Sequence, residues 1–169
     1  MSVAENVLKN CNVSVDGRGF AGNFKELKLP ELSLKLEEFR AGGMDAPVSI
    51  EKGMEELVFT FTATKMCAET LALFGVSKNN GVQLTARGVV ESFDGNTQPV
   101  LVNMTGKMTK ITPSTWTSGG EATTEYTMNL SYYKYSQDGN TVHEIDVLNM
   151  TRIINGTDQL AEHRSALGL

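Results

Sequence analysis

Apolar and polar residues alternate along much of the chain. In segment 100–105, Val100, Val102 and Met104 share one side of an extended backbone, and Leu101, Asn103 and Thr105 share the other, largely polar side. The same two-residue period places apolar residues together in three further segments: Leu57, Phe59, Phe61 and Ala63; Tyr126, Met128, Leu130 and Tyr132; and Leu32, Leu34 and Leu36. The pattern predicts long strands, rich in Thr, with one face in a core and the other face polar.

Asp-Gly dipeptides lie between these alternating runs, at 16–17, 94–95 and 138–139. They supply the positive-φ positions that tight hairpins require. We expect a first hairpin around Asp16–Gly19, pairing of 82–93 with 97–111, and pairing of 122–136 with 141–149. Gly88 and Gly106 fall inside predicted strands, which suggests bulges that help a sheet to curl.

Two short segments have helical character. Residues 66–74 are rich in Ala, Glu and Leu and are followed by Gly75, which we expect to cap the C-terminus of a helix. Residues 157–167 begin with a possible Thr157 cap and stop at Gly168. We therefore predict an all-β chain with one or two short helices, forming a single domain over residues 1–169, with a C-terminal helix at 157–168.

One segment does not suit a compact barrel: the loop between the strand around 32–39 and the strand that begins near Met54. Gly42–Gly43 is flexible, Pro47 lacks a backbone donor, and Met44 is an adaptable apolar residue. Two interpretations are open: a solvated hairpin end, or an arm that docks onto a neighbouring subunit with Met44 and Val48 as anchors. The candidate arm comprises Arg40, Ala41, Gly42, Gly43, Met44, Asp45, Ala46, Pro47 and Val48.

Charge and composition exclude several classes of protein. The chain has 15 basic and 20 acidic residues, a net charge of −5, and no basic stripe suited to gripping nucleic acid. The first fifteen residues lack the apolar core of a signal peptide, and no stretch is long and apolar enough to span a membrane. Cys11 and Cys67 are isolated in sequence, so we expect free thiols in a reducing compartment.

Catalytic patterns are also missing. His143 and His163 have no partner at metal-ligand spacing, and no nucleophile elbow or phosphate-binding loop occurs. Glu144 and Asp146 would share a strand face, which a solvated or salt-bridged surface explains more simply than glycoside hydrolysis. Trp116 lies in a turn-rich connection and would either cap the core or cover a contact. We expect no enzymatic activity, no metal and no cofactor.

Three separated groups of residues, in order from about residue 13 to the C-terminus, are together distinctive. The first contains Leu29–Pro30–Glu31–Leu32, Lys35, Glu37, the run Arg40–Val48, and Gly53. The second contains Tyr132–Tyr133–Lys134, Asp138–Gly139, Glu144–Ile145–Asp146 and Asn149. The third contains Asn155–Gly156, Asp158–Gln159–Leu160, Arg164 and Leu167–Gly168–Leu169. With these motifs the chain resembles the major tail tube protein of contractile-tailed phages and R-type pyocins.

The resemblance implies a curled, two-sheet, barrel-like β-sandwich with a helix on its flank. Six copies would close into a ring with a continuous inner β-barrel, and the rings would stack into a rigid hollow tube. The polar strand faces would line its lumen. The resemblance assigns subunit and ring contacts to the Arg40–Val48 arm and to Glu144, Asp146, Asn149, Leu160, Arg164 and Leu169. Asp158 and Glu162 would be candidates for contact with a sheath.

The expected partners are other copies of the chain, a surrounding sheath protein, and baseplate and tail terminator proteins at the tube ends. DNA or ions would pass through the lumen without specific binding, and the tube would pierce the bacterial envelope although its subunit is not a membrane protein. Assembly would occur in the host cytoplasm, and the product would be a virion tail or a released pyocin particle. Two alternatives stay open: a type VI secretion-like tube, and a monomeric, small-ligand-binding β-barrel.

Overall fold

The structure is a computed structural model that describes residues 7–77 and 81–169. Strands dominate it, as the alternating pattern predicts. In chain order the elements are β1 Val7–Val15, β2 Arg18–Gly19, β3 Phe24–Lys28, β4 Leu34–Phe39, β5 Val48–Met54, β6 Val58–Ala63, α1 Ala68–Leu71, β7 Val82–Glu91, β8 Thr97–Pro113, β9 Thr124–Gln137, β10 Asn140–Asp146, β11 Thr151–Ile154, β12 Thr157–Asp158 and α2 Ala161–Leu167.

Ten strands form one curled sheet, and β4 and β5 form a second sheet of two strands. The main path runs β12-β11-β10-β9-β8-β7-β1-β2, and β6 adds β3 to the sheet. The long strand β9 pairs with β6 over 124–129 and with β10 over 132–137, so its partner changes in mid-strand. The ten-stranded sheet and the β4–β5 sheet together confirm the predicted mostly-β fold with two sheets, although neither sheet closes into a barrel within the subunit.

Three predicted hairpins are confirmed. Strand β7 pairs with β8, β9 pairs with β10, and β1 pairs with β2. At two of the turns both central residues have positive φ: 49° at Asp16 and 79° at Gly17, and 50° at Asp138 and 76° at Gly139. Asp tolerates this region better than most residues and Gly adopts it freely, which explains why Asp-Gly marks these turns.

The core is filled by the predicted apolar faces of the strands of the main sheet. Phe59, Phe61 and Ala63 on β6 are fully or almost fully buried. The Phe61 ring stacks on Tyr126 of β9 with 4.9 Å between centroids, and Phe20 meets Phe61 edge-on at 5.8 Å. Aromatic pairs of this kind add to the free energy gained by burial, and Phe61 and Tyr126 are direct cross-strand partners, so their stacking stabilises the pairing of β6 with β9.

The prediction that Tyr132 joins the core is wrong, because the alternation in β9 changes phase. Gly106 pairs with Leu130 and Thr105 with Tyr132, which leaves Ser131 without a partner on β8. This bulge turns Tyr133 inward, where it is buried, and leaves Tyr132 partly exposed. The bulge predicted at Gly106 is therefore confirmed. The prediction of a bulge at Gly88 is wrong, because Gly88 pairs in regular register with Cys11 and Val100.

Both helices are shorter than predicted. Only Ala68–Leu71 of the first segment is helical, although Gly75 has a positive φ of 70° and its N–H donates to the Met108 carbonyl. The second helix begins at Ala161 and not at Thr157, because Thr157 and Asp158 pair with β11 as strand β12. Its predicted end at Gly168 is confirmed by a left-handed cap with φ of 75°.

Candidate assembly interface

The β4–β5 hairpin lacks a buried face. Every residue of β4 is exposed, and in β5 only Met54 is partly buried. The prediction that Leu32, Leu34 and Leu36 lie in a core is therefore wrong: all three side chains are exposed, because the face they share is not covered within the subunit. An isolated two-stranded hairpin is marginally stable in water, so this hairpin is suited to packing against another molecule.

Apolar side chains occur on both faces of the hairpin. Phe39 lies opposite Val48 on one face, and the neighbouring position on the same face is Ile50. These three side chains are 51%, 46% and 43% exposed. The other face carries Leu36, which is 58% exposed. Contiguous exposed apolar residues of this kind mark interaction sites.

The predicted arm is the tip of this hairpin, except that Val48 already belongs to β5. Arg40 donates from Nε to the Met44 carbonyl at 3.0 Å, and the Ala41 N–H donates to the Met44 sulfur at 3.3 Å. Gly43 has φ of 90°, a value that favours glycine. The tip is thus a compact, internally bonded turn. Its docking onto another subunit stays a prediction.

An ion pair attaches the hairpin to the main sheet. Arg152 of β11 donates from Nη1 to Glu51 of β5 at 2.7 Å. The Arg152 side chain is only 15% exposed, while that of Glu51 is 41% exposed. A half-buried guanidinium–carboxylate contact is stronger than one in full solvent, so the pair orients the hairpin relative to the sheet.

The C-terminal helix is attached to the same region by Arg164. Its guanidinium donates to the Met150 carbonyl at 2.7 Å and to the Asp158 carboxylate. The hydrogen bond from Arg164 lowers the pKa of Asp158, and the Leu160 N–H, which donates to Asp158 at 3.0 Å, acts in the same direction. Asp158 is therefore used within the subunit, which argues against its predicted role in contact with a sheath.

The turn between β10 and β11 is held in a strained conformation. Asp146 accepts hydrogen bonds from the backbone N–H of Asn149 at 3.1 Å and from its side-chain amide at 2.7 Å. Met150 follows with φ of 49°, a region that non-glycine residues adopt rarely. The hydrogen bonds that Asp146 accepts from Asn149, and the one that Arg164 donates to the Met150 carbonyl, stabilise this turn.

The structure thus brings together four residues predicted separately: Asp146, Asn149, Leu160 and Arg164 surround the β10–β11 turn and the start of α2. Glu144 shares the strand face of Asp146, as predicted, but lies two residues further from the turn and accepts from the Tyr132 hydroxyl at 3.0 Å. Burial, together with this bond, raises the pKa of Tyr132 to about 12. The side chain of Leu169 is 78% exposed beyond the end of the helix.

A cleft of about 690 Å³ lies between the hairpin base, the β10–β11 turn and α2. Leu57, Leu130 and Ile145 form its buried apolar floor. Met54, Met150 and Leu160 contribute to its walls. The rim carries Glu51, Glu55, Glu56 and Asp146 against Arg152 and His163. We call this feature the hairpin-base cleft; it has an apolar interior and a rim of net negative charge.

Sequence reasoning missed Glu51, Arg152, Phe39 and Ile50. The ion pair joins strands far apart in the chain, and neither partner stands in a motif. Phe39 and Ile50 could have been found, because each is an apolar residue in a strand beside a loop rich in glycine.

The outward face of the main sheet is polar, as its Thr- and Asn-rich strands predict. One row of paired residues crosses five strands: Ser14, Thr85, Asn103, Lys134 and Glu144. Thr85 donates to Asn103 at 3.4 Å, Ser14 bonds to the Thr85 carbonyl, and Lys134 stands opposite Glu144. Basic and acidic side chains are therefore interspersed on this face.

Trp116 is 75% exposed in the β8–β9 loop, so it does not cap the core. Within residues 7–77 and 81–169, His, Cys, Asp and Glu form no cluster of three suited to a metal ion. Neither helix in that part of the chain has the length and apolar character needed to cross a bilayer.

Residues 5–168 match the family described as phage tail tube protein FII. The chain is 28% identical to the tail tube protein of Escherichia phage P2, with 96% of each chain covered. It is also 28% identical to the major tail tube protein of Serratia phage KSP20, covering 92% of this chain and 91% of that one.

Solved structures share the fold. A chain of the PVC sheath-tube complex, an extracellular contractile injection system in its extended state, aligns with a TM-score of 0.57 at 14% identity. That alignment covers 75% of this chain and 88% of the other. A chain of the PVC sheath/tube terminator aligns with a TM-score of 0.56 at 14% identity, over 77% and 95% of the two chains.

These similarities favour the tail tube interpretation over the two alternatives. The alternative of a ligand-binding β-barrel is wrong, because the main sheet does not close on itself and its buried face is filled by the side chains of the core. The family matched is that of phage tail tubes and not of type VI secretion tubes. The chain belongs to the phage tail tube protein FII family and is a structural subunit of a tail tube.

Proposed function

We propose that six copies of this chain close into a ring and that such rings stack into a rigid hollow tube, which a contracting sheath drives through the bacterial envelope. The subunit works by assembly and carries out no catalysis. The β4–β5 hairpin is the observation that carries this proposal, because a hairpin with apolar residues on both faces and no buried face needs a neighbour to cover it.

Symmetry fits this use of the hairpin. A contact between a hairpin on one copy and a different surface on the next is heterologous, and repeated heterologous contacts produce rings or open stacks. Four of the predicted interface residues support the arm indirectly: Asp146, Asn149, Leu160 and Arg164. They surround the β10–β11 turn, which lies beside the strand from which Arg152 binds the base of the hairpin.

The polar face of the main sheet would line the lumen. Six copies joined edge to edge would form a continuous β-barrel, and large barrels enclose aqueous channels. Closure would also remove the unpaired strand edges that favour aggregation. In the cross-strand row Lys134 lies opposite Glu144, so its positive charge is balanced locally and is poorly suited to holding phosphates. DNA or ions could therefore pass without being retained.

The partners we propose are a sheath around the tube, with terminator and baseplate proteins at its ends. The PVC structures support the first two by analogy, since one contains a sheath and a tube and the other a sheath/tube terminator. Assembly would take place in the host cytoplasm, and the product would be a virion tail or a pyocin-like particle.

Removal of the hairpin tip tests this function. A chain lacking residues 42–47 should fold with an unchanged unfolding transition but fail to form sedimenting tubes. A matched variant with Gly and Ser at the same six positions keeps the loop length, so it separates the reach of the arm from its side-chain contacts. Normal tubes from the deletion variant would rule out the hairpin tip as an assembly element.

A further inference from the structure

We propose that the hairpin-base cleft of one subunit receives the hairpin tip of a second subunit, with Arg40 at the acidic rim and Met44 over the apolar floor. This inference rests on the proposed function and assigns the surface to which the tip binds.

The cleft cannot hold the tip of its own chain. Gly53 and Met54, at the base of the hairpin, form part of its lining, whereas residues 40–47 lie at the far end of β4 and β5. Strands of six or seven residues separate base and tip by roughly 20 Å. The occupant must therefore come from another molecule.

Charge makes the tip a suitable occupant. Arg152 is the one arginine among the described residues that line the cleft, and its guanidinium is already paired with Glu51. Glu55 is exposed and its carboxylate accepts no hydrogen bond from the described residues. Arg40 donates through Nε to its own turn, while its terminal NH2 groups bond to none of those residues. A free guanidinium and a free carboxylate favour a bidentate contact.

The apolar parts match as well. Leu57, Leu130 and Ile145 form an apolar floor, and methionine adapts its shape to such surfaces. The internal bonds of the tip fix Met44 in one compact turn before binding, which reduces the entropy lost on association. Because tip and cleft are different surfaces at opposite ends of one hairpin, their contact repeats from copy to copy without closing on itself in a pair.

A charge swap tests the contact. Glu55→Arg places like charges together, and Arg40→Glu does the same from the other side. Each single variant should raise the critical concentration for tube formation at least about tenfold, measured by sedimentation in low salt. The double variant restores opposite charges and should return to within about threefold of the unmodified chain. Both side chains are exposed, so circular dichroism should show folded subunits throughout.

Glu162→Arg is the matched control, since it makes the same charge change on an exposed residue of α2 outside the cleft lining. It should assemble like the unmodified chain. Normal tubes from Glu55→Arg would show that the cleft does not bind the tip and would overturn the proposal. A double variant that assembles no better than either single variant would overturn it as well. If the unmodified chain itself does not assemble, the proposed function fails; if it assembles and only the swap fails, this inference alone is wrong.

Discussion

Replacing Phe39 and Ile50 together by Ser should weaken assembly without weakening the fold. Their side chains are 51% and 43% exposed in the subunit, so about half of each remains to be covered by a partner. Complete burial of Phe or Ile is worth about 1.5–3 kcal/mol, and covering the remaining half therefore contributes about 1 kcal/mol each. The double variant should lose about 2 kcal/mol per contact, which raises the critical concentration roughly thirtyfold.

Sedimentation of tubes over a range of protein concentrations measures this shift. Ile50→Val serves as a graded control, because removing one methylene from a half-covered side chain costs about 0.4 kcal/mol, or roughly a twofold change. The free energy of subunit unfolding should change by less than about 0.5 kcal/mol in both variants, as is usual for exposed positions. A critical concentration within twofold of the unmodified value for the double variant would refute burial of this face.

Three further predictions concern the subunit. Gly106→Ala should lower the free energy of unfolding in urea by about 3 kcal/mol or more, because the new Cβ would lie 2.2 Å from a backbone oxygen. Gly88→Ala should lower it by less than about 1 kcal/mol, because its Cβ would meet only a movable side chain at 3.1 Å. Equal losses in the two variants would contradict the close backbone approach at Gly106. Arg152→Ala should speed amide exchange in β4 and β5 by freeing Glu51, and unchanged exchange there would show that the ion pair does not hold the hairpin. Arg164 lowers the pKa of Asp158 below the 3.8 of an unperturbed aspartate, so the stability that this ion pair contributes is complete above pH 3.8 and is lost as the pH falls through the lowered pKa. Asp158→Asn should remove this loss, so that amide exchange in α2 depends less on pH in acid. An unaltered pH dependence would show that Asp158 does not hold the helix.

Much of the fold follows from local sequence patterns. The alternation at Phe59 and Phe61 identifies a buried strand face because the period of a strand is two, and the Asp-Gly turns mark hairpins because they supply positive φ. Both signals are contained within a few neighbouring residues. They do not depend on what the strand later packs against.

Other features depend on distant partners and could not be predicted in this way. Tyr133 replaces Tyr132 in the core because a bulge opposite Gly106 shifts the phase, and the bulge is a property of a strand pair. Leu34 and Leu36 have the pattern of core residues, yet alternation cannot distinguish a face covered within the subunit from one left for a partner.

The candidate interface likewise contains some features that the sequence predicts and others that depend on distant partners. The glycine-rich tip was visible in the sequence, and the family resemblance pointed to Asp146, Asn149 and Arg164. Their convergence on one turn, and the ion pair between Glu51 and Arg152, depend on how β5, β11 and α2 come together.

Cryo-electron microscopy of the purified chain, assembled at high protein concentration, tests self-assembly most directly. We expect stacked rings of six subunits around an open lumen, with the β4–β5 hairpin of each subunit buried against a neighbouring copy. A chain that stays monomeric, or tubes in which the hairpin contacts only solvent, would contradict the proposal.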